Sequence, residues 1–323
     1  MKFVQLKTEL ADKHFFPVAV VSGEDAFLRA NAVEQIVKGV NVNLPELNFN
    51  TFDGTSLDIE QVLYACQSMP FGSERKIVLV RGLTLTKDGK TNNIVTKLSA
   101  YSKSPSESAV LVIETTTAFP LENIAGITFV DCGKLDNYAI SLWVSGKVAE
   151  KQKTIDKDAT NLLCDYCIRD MSRISSELQK LLCLSHNNIT TEDVRSQVYQ
   201  DAEFAVFDLS TYISAKNSFM AQSVFDNLIS RGEEVIKLFG LLYNFYRRMY
   251  YISVSRDLTQ SEIADKLGVK EYAVKKAKEV ADTYKPATLK KSLDYFYMAD
   301  IKLKKFYKDT EVMRLLIFQL LSL

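Results

Sequence analysis

The strongest constraint on this chain is the point at which its strand signal stops. Short apolar, β-branched runs occur at Phe15–Val21 (FFPVAVV), Phe49–Phe52, Lys76–Val80 (KIVLV), Ala109–Ile113 (AVLVI) and Ile127–Val130, and after Leu135 only helical spacing is left. Between the strands, helical spacing fits Asp25–Lys38, a helix that Asp58 caps and that runs through Gln67, and a segment near Ile94–Tyr101. Short, continuously apolar strands separated by helices favour a parallel or mixed sheet covered on both faces. Further on, helices are expected over 136–148, 156–168 and 172–184, with a short one beginning at Thr190–Asp193. From Phe204 onward the pattern is helical, with breaks near Lys216–Asn217, Gly232, Leu258–Thr259, Gly268 and Pro286. The reading is an α/β part over 1–135, a small helical part over 136–208 and a larger helical part over 209–323.

Length and composition agree with several globular domains. The chain has 323 residues, 47% hydrophobic and 25% charged, with only 12 Gly and 6 Pro. That argues against collagen, long disordered linkers and a turn-rich all-β fold. Forty basic residues face forty acidic ones, so the chain as a whole is no polyanion binder, although a local patch is allowed. No apolar run approaches the ~18–20 residues of a membrane span, and Met1–Lys13 lacks the apolar stretch of a signal peptide. Five scattered cysteines (66, 132, 164, 167 and 183) make no disulfide framework, which points to a reducing cytoplasm. His14 and His186 are the only histidines; both read as exposed, and they are too few for most metal or general-base schemes.

A nucleotide-binding α/β domain carries a glycine-rich loop after its first strand, with Lys for phosphate and Ser/Thr for magnesium. Here that loop is Ser22-Gly23-Glu24-Asp25, with one glycine and two carboxylates where phosphate would sit. The carboxylates cap the next helix themselves and repel a nucleotide. The end of the AVLVIE strand, at Glu114, lacks the acidic pair expected of a magnesium site. Cys164 and Cys167 have metal-ligand spacing but no second pair, so they read as small apolar residues on a helix. No catalytic residue, metal site or cofactor is assigned.

Two segments invite macromolecular partners. Thr259–Ala277 has the pattern of a helix-turn-helix, inside a region (Arg231–Lys308) holding 17 basic and 10 acidic residues. Its second helix offers Tyr272, Ala273 and Ala277 rather than the Arg, Asn or Gln that read base edges, which favours a scaffold role. The second segment, Gln67-Ser68-Met69-Pro70-Phe71-Gly72, follows a helix and precedes a buried strand. Pro70 ends the helix and fixes the backbone, leaving Met69 and Phe71 in the loop tip. Either these two anchor in a partner's pocket, or they fold back onto the sheet edge.

Taken in order, these strings resemble a known family. They are SGEDAFL from Ser22, Phe52-Asp53-Gly54, CQSMPF from Cys66 and SERKIV from Ser73; then DCGKLD from Asp131, SELQKL from Ser176, VFDL from Val206 and the Ile263–Val269 stretch. The set resembles the delta subunit of bacterial DNA polymerase III over nearly the whole chain. The resemblance implies an AAA+-like α/β domain at 1–135 with a degenerate phosphate loop (Ser22, Gly23, Glu24, Asp25). It further implies a helical lid domain at 136–208 and an all-α collar domain at 209–323. It implies a clamp-loader subunit without catalysis of its own, belonging to a DNA-directed DNA polymerase holoenzyme. In such a subunit Gln67, Ser68, Met69, Pro70 and Phe71 plug a pocket on the sliding clamp and help open the ring, Gln67 orienting the loop by side-chain hydrogen bonding. Implied partners are the clamp, other loader subunits through the collar, and primed DNA in the assembly, in the cytoplasm at the nucleoid and without membrane or cofactor. Several relatives end the motif with two large apolar residues, whereas Phe71 is followed by Gly72. The alternatives are a helix-turn-helix DNA-binding regulator using 259–277, or a sister AAA+ subunit. The cysteine spacing and the Ser172-Arg173-Ile174 string lack the sisters' zinc module and Ser-Arg-Cys element.

Overall fold

The computed structural model describes residues 1–13, 15–84, 89–117, 121, 124–255, 257–305 and 308–323. His14 lies outside them. The chain separates into two compact units, 1–154 and 155–323.

The first unit is built on a five-stranded sheet of β1 (Val18–Ser22), β2 (Phe49–Asp53), β3 (Lys76–Leu83), β4 (Ala109–Thr115) and β5 (Thr128–Asp131). The spatial order is β2-β3-β4-β1-β5 and every pairing is parallel. A parallel sheet must be covered on both faces, and β1 and β4 are accordingly buried along nearly their whole length. On one face Val18, Val20, Val78, Val80, Leu111 and Ile113 pack with α4 (Ile59–Gln67) and α5 (Gly89–Ser102). Helix α2 (Ala26–Val40) packs on β1 and β4 through a row of buried residues that includes Leu28, Ala32 and Ile36.

Helix starts obey local capping chemistry. Asp25, Asp58 and Asp136 each accept a backbone N–H of the turn they open, at α2, at α4 and at α6 (Asn137–Ala149). An unexpected helix, α1 (Leu6–Lys13), precedes β1. With Phe3 and Leu6 buried and the Met1 ammonium donating to the Phe129 carbonyl at 2.7 Å, the N-terminus is tied to the sheet. A second short helix, α3 (Pro45–Asn48), precedes β2.

The second unit is helical, apart from two-residue strand pieces at Thr154–Ile155, which spans the boundary, and Asn188–Ile189. Helices α7 (Lys157–Tyr166), α8 (Met171–Leu182) and α9 (Thr191–Gln197) are followed by α10 (Ala202–Ser214) and α11 (Ser218–Ser230). Then come α12 (Val235–Val254), α13 (Gln260–Leu267), α14 (Glu271–Ala281), α15 (Pro286–Leu303) and α16 (Asp309–Leu321). Helix α7 stops two residues before the expected Ile168, because Ile168 and Arg169 take the left-handed conformation. There the Arg169 amide donates to the Cys164 carbonyl and its guanidinium stacks on Tyr272.

Helix α12 is the axis of this unit and packs on α10, α14, α15 and α16. Phe245 and Tyr246 on α12 meet Phe207 of α10 and Phe296 of α15 in a continuous set of tilted and edge-on rings. Leu238, Leu242, Leu316 and Leu320 are also core residues. Leu315 and Phe318 on α16 and Phe219 on α11 point to solvent instead. Phe245→Ala is expected to cost roughly 3–5 kcal/mol of stability, as for a buried Phe. Phe318→Ala, truncating a side chain that is 67% exposed, is expected to stay within ~1 kcal/mol. Urea denaturation of the two variants checks the assignment of core and surface.

Candidate functional site

The crevice outside the carboxyl end of β1 is where an open α/β sheet ordinarily takes a ligand. Here the protein's own backbone closes it. The Cys132 amide donates to the Ser22 carbonyl at 2.6 Å and the Asp25 amide to the Cys132 carbonyl at 3.3 Å. Gly23, at φ +151°, lies so close to this segment that a Cβ would sit 2.1 Å from the Cys132 carbonyl carbon. Arg29 donates to the Gly23 carbonyl at 2.5 Å and pairs with Glu114 at 3.3 Å. Glu24 faces solvent 3.4 Å from Lys134, while Asp25 caps α2 through the Leu28 amide. The Asp25 and Leu28 amides are thus already directed elsewhere, and the nearest guanidinium has a carboxylate of its own.

The segment after α4 lies at the opposite, amino-terminal edge of the sheet. Ser68 ends the helix by donating its amide to the Tyr64 carbonyl. Its hydroxyl donates to the Ala65 carbonyl at 3.0 Å and accepts from the Lys76 ammonium at 2.6 Å. At the tip, the Phe71 N–H donates to Asn48 Oδ1 at 2.7 Å and the Phe71 carbonyl accepts from Asn48 Nδ2 at 2.8 Å. Ser73 Oγ accepts the Asn43 amide and donates to the Arg75 carbonyl. Arg75 stacks on Phe15, its guanidinium 4.0 Å from the ring centre.

On this fixed backbone Met69 is 85% and Phe71 67% exposed, and Tyr64, one turn before the end of α4, is 75% exposed. Neither Met69 nor Phe71 folds back onto the sheet edge. Leu47 and Tyr64 border a shallow groove of about 620 Å³ beside Met69, with Lys76 among its lining residues. Gly72 has φ +60°, a left-handed conformation that favours glycine, and Leu44 Cδ1 is the neighbour a Cβ there would meet, at 3.4 Å. The side chain of Gln67 is exposed and has no hydrogen-bond partner among the described residues; Asn48 holds the loop instead. Sequence reasoning missed Asn48 because Asn next to Pro-Glu-Leu reads as turn chemistry. Only pairing between β2 and β3 shows what it faces.

The other candidates resolve into packing. Tyr272, Ala273 and Val274, in the first turn of α14, are buried in the core of the second unit. The face that a recognition helix would lay in a DNA groove is therefore turned inward. Cys164 and Cys167 are both buried, and burial pushes each thiol up to about 12. His186 contacts Asp193 at 3.0 Å at the capping box that opens α9.

Two family descriptions match this chain. Residues 20–119 match "DNA polymerase III, delta subunit" and residues 203–320 match "DNA polymerase III delta subunit, C-terminal domain", together more than half of the sequence. The chain belongs to the DNA polymerase III delta-subunit family. A relative from Bacillus subtilis (strain 168), DNA polymerase III subunit delta, is 24% identical over 95% of this chain and 93% of its own length. The fold matches that of the Bacillus subtilis DNA clamp loader delta protein with a TM-score of 0.79, at 23% identity, covering 99% of this chain and 100% of that one. The first family match includes both the closed β1 loop and the Gln67–Phe71 segment.

Lys76 is a buried cation with no carboxylate partner among the described residues, and burial lowers its pKa from 10.5. The bond to Ser68 and the carbonyl end of α4 offset part of the desolvation cost. A group that gives up its proton earlier in the folded state than in the unfolded chain makes stability rise with pH between its two values. Lys76→Met is expected to leave stability at neutral pH within about 1 kcal/mol. It should also abolish the rise between the lowered value and 10.5. Urea denaturation of both proteins across that alkaline window checks it.

Proposed function

We propose that this chain is a clamp-loader subunit that binds the sliding clamp of its replicase and helps open the ring for loading on primed DNA. The carrying observation is the loop tip, where Met69 and Phe71 are held outward on a backbone fixed by hydrogen bonds. Gln67, Ser68, Met69, Pro70 and Phe71 form the plug: Pro70 limits the backbone, Met69 and Phe71 enter an apolar pocket on the clamp, and Gln67 makes its hydrogen bonds across that interface. Burying two such side chains is worth roughly 1.5–3 kcal/mol each. That is comparable with the coupling energies that shift a closed ring toward an open one.

The rest of the reading follows the family. Residues 1–135 serve as an AAA+-like domain with a phosphate loop (Ser22–Asp25) that no longer takes nucleotide. Residues 136–208 serve as the lid and 209–323 as the collar that joins other loader subunits. Phe219, Leu315 and Phe318 are the collar residues best suited to an intersubunit contact, since they are apolar and exposed. The subunit has no catalysis or cofactor of its own and acts inside the polymerase holoenzyme, in the cytoplasm at the nucleoid. Among the described residues no helix is long and apolar enough to cross a membrane.

Phe71→Ala is expected to weaken clamp binding by about 2 kcal/mol or more, roughly thirtyfold, with stability within ~1 kcal/mol of wild type. Clamp affinity and melting measured on the same variant decide this; unchanged affinity removes the plug from this position. The purified chain is also expected to show no magnesium-dependent ATP hydrolysis and no ATP binding in calorimetry. Turnover that is lost on substitution near Gly23 would overturn that part of the reading.

A further inference from the structure

Asn48 is fully buried. Among the described residues its side chain hydrogen-bonds only to backbone. Oδ1 accepts the Phe71 N–H at 2.7 Å, and Nδ2 donates to the carbonyls of Phe71 and Asn43, each at 2.8 Å. One amide thus satisfies both polar groups of Phe71, as a neighbouring strand would, although residue 71 belongs to no strand. The same amide holds the turn containing Asn43 and Leu44, and the Asn43 amide in turn donates to Ser73 Oγ at 3.2 Å. The loop is therefore tied at residues 71 and 73 to a single short segment, 43–48.

Only an amide of this length fits the task. An Asp keeps the acceptor for the Phe71 N–H but leaves two carbonyls unpaired and buries a charge. An Ala leaves every one of these backbone groups without its partner. We propose that Asn48 is a positioning residue that pre-forms the docking loop. It fixes the backbone of Phe71 in the free protein, so the exposed ring meets the partner without an ordering step. This rests on the reading of 67–71 as the clamp-docking element. Pre-organisation of this kind raises affinity by moving the ordering cost from binding to folding. A residue that merely fills a buried polar site would stabilise the unit without acting through Phe71.

A double-mutant cycle on the full chain separates the two roles. Clamp affinity is measured per folded molecule for wild type, Asn48→Ala, Phe71→Ala and the double variant. Asn48→Ala is expected to weaken binding by about tenfold when Phe71 is present and by less than about twofold when it is absent. Equal losses in both backgrounds, or no loss in either, would overturn the positioning role while leaving the plug in place. If Phe71→Ala itself leaves affinity unchanged, the plug and the positioning role fall together. Amide exchange of the unmodified chain needs no variant to fold. The Phe71 amide is expected to exchange at least about tenfold more slowly than those of Met69 and Gly72, which donate to no group among the described residues. Equal rates would show that the loop is not pre-formed.

Discussion

The parallel pairing of β2 with β3 is the constraint on which the candidate site depends. Its register sets Phe49 beside Ile77, so the residues entering the two strands, Asn48 and Lys76, come to the same end of the sheet. Each then reaches the intervening loop from below, Asn48 at Phe71 and Lys76 at Ser68. Because side chains alternate along a strand, a slip of one residue in β3 would turn Lys76 away. The position of β3 is itself fixed by burial, since its Val78 and Val80 must meet Leu111 and Ile113 of β4 on the covered face. Core packing in the sheet thus determines where an exposed phenylalanine sits at its edge.

The two edges of this sheet have opposite fates. At the carboxyl ends of the strands, where α/β proteins commonly bind ligands, Gly23, Cys132 and Arg29 fill the crevice with the protein's own backbone and charge. At the amino ends, a loop that most such folds use only as a connection carries large apolar side chains in water. Exposing Met69 and Phe71 is unfavourable for an isolated protein, and the hydrogen bonds that keep them outward make the arrangement deliberate rather than loose. The division agrees with the proposed role, in which nucleotide chemistry belongs to other subunits and this one contributes a docking surface.

Much of this was legible from residue patterns because it is local. Asp25, Asp58 and Asp136 announce their helices by cap chemistry, Thr190 opens a capping box, and Gly268 ends α13 with a left-handed residue. The continuously apolar strands declared a doubly covered sheet, since neither face could be left wet. What stayed hidden depends on neighbours distant in sequence. Helix α1 is short, and its place follows from the Met1 and Phe3 contacts. Leu238 and Phe318 look alike in a helical pattern, but one faces the aromatic core and the other water. The loop tip allowed two readings because Asn48, 23 residues away, decides between them.

A pre-formed plug also limits how docking can be regulated. If the loop folded only on contact, a signal could act by ordering or melting it. With both polar groups of Phe71 already satisfied, melting the tip means breaking the bonds of a buried amide and stranding it, at a cost of roughly 1–3 kcal/mol per unpaired group. A switch of that kind would work against the fold of the whole edge, since the same amide holds the turn before β2. Covering an intact loop needs no such loss. It requires only that another surface compete for the same apolar side chains with comparable affinity. On the proposed reading, docking is therefore regulated by covering Met69 and Phe71 rather than by melting the loop that carries them.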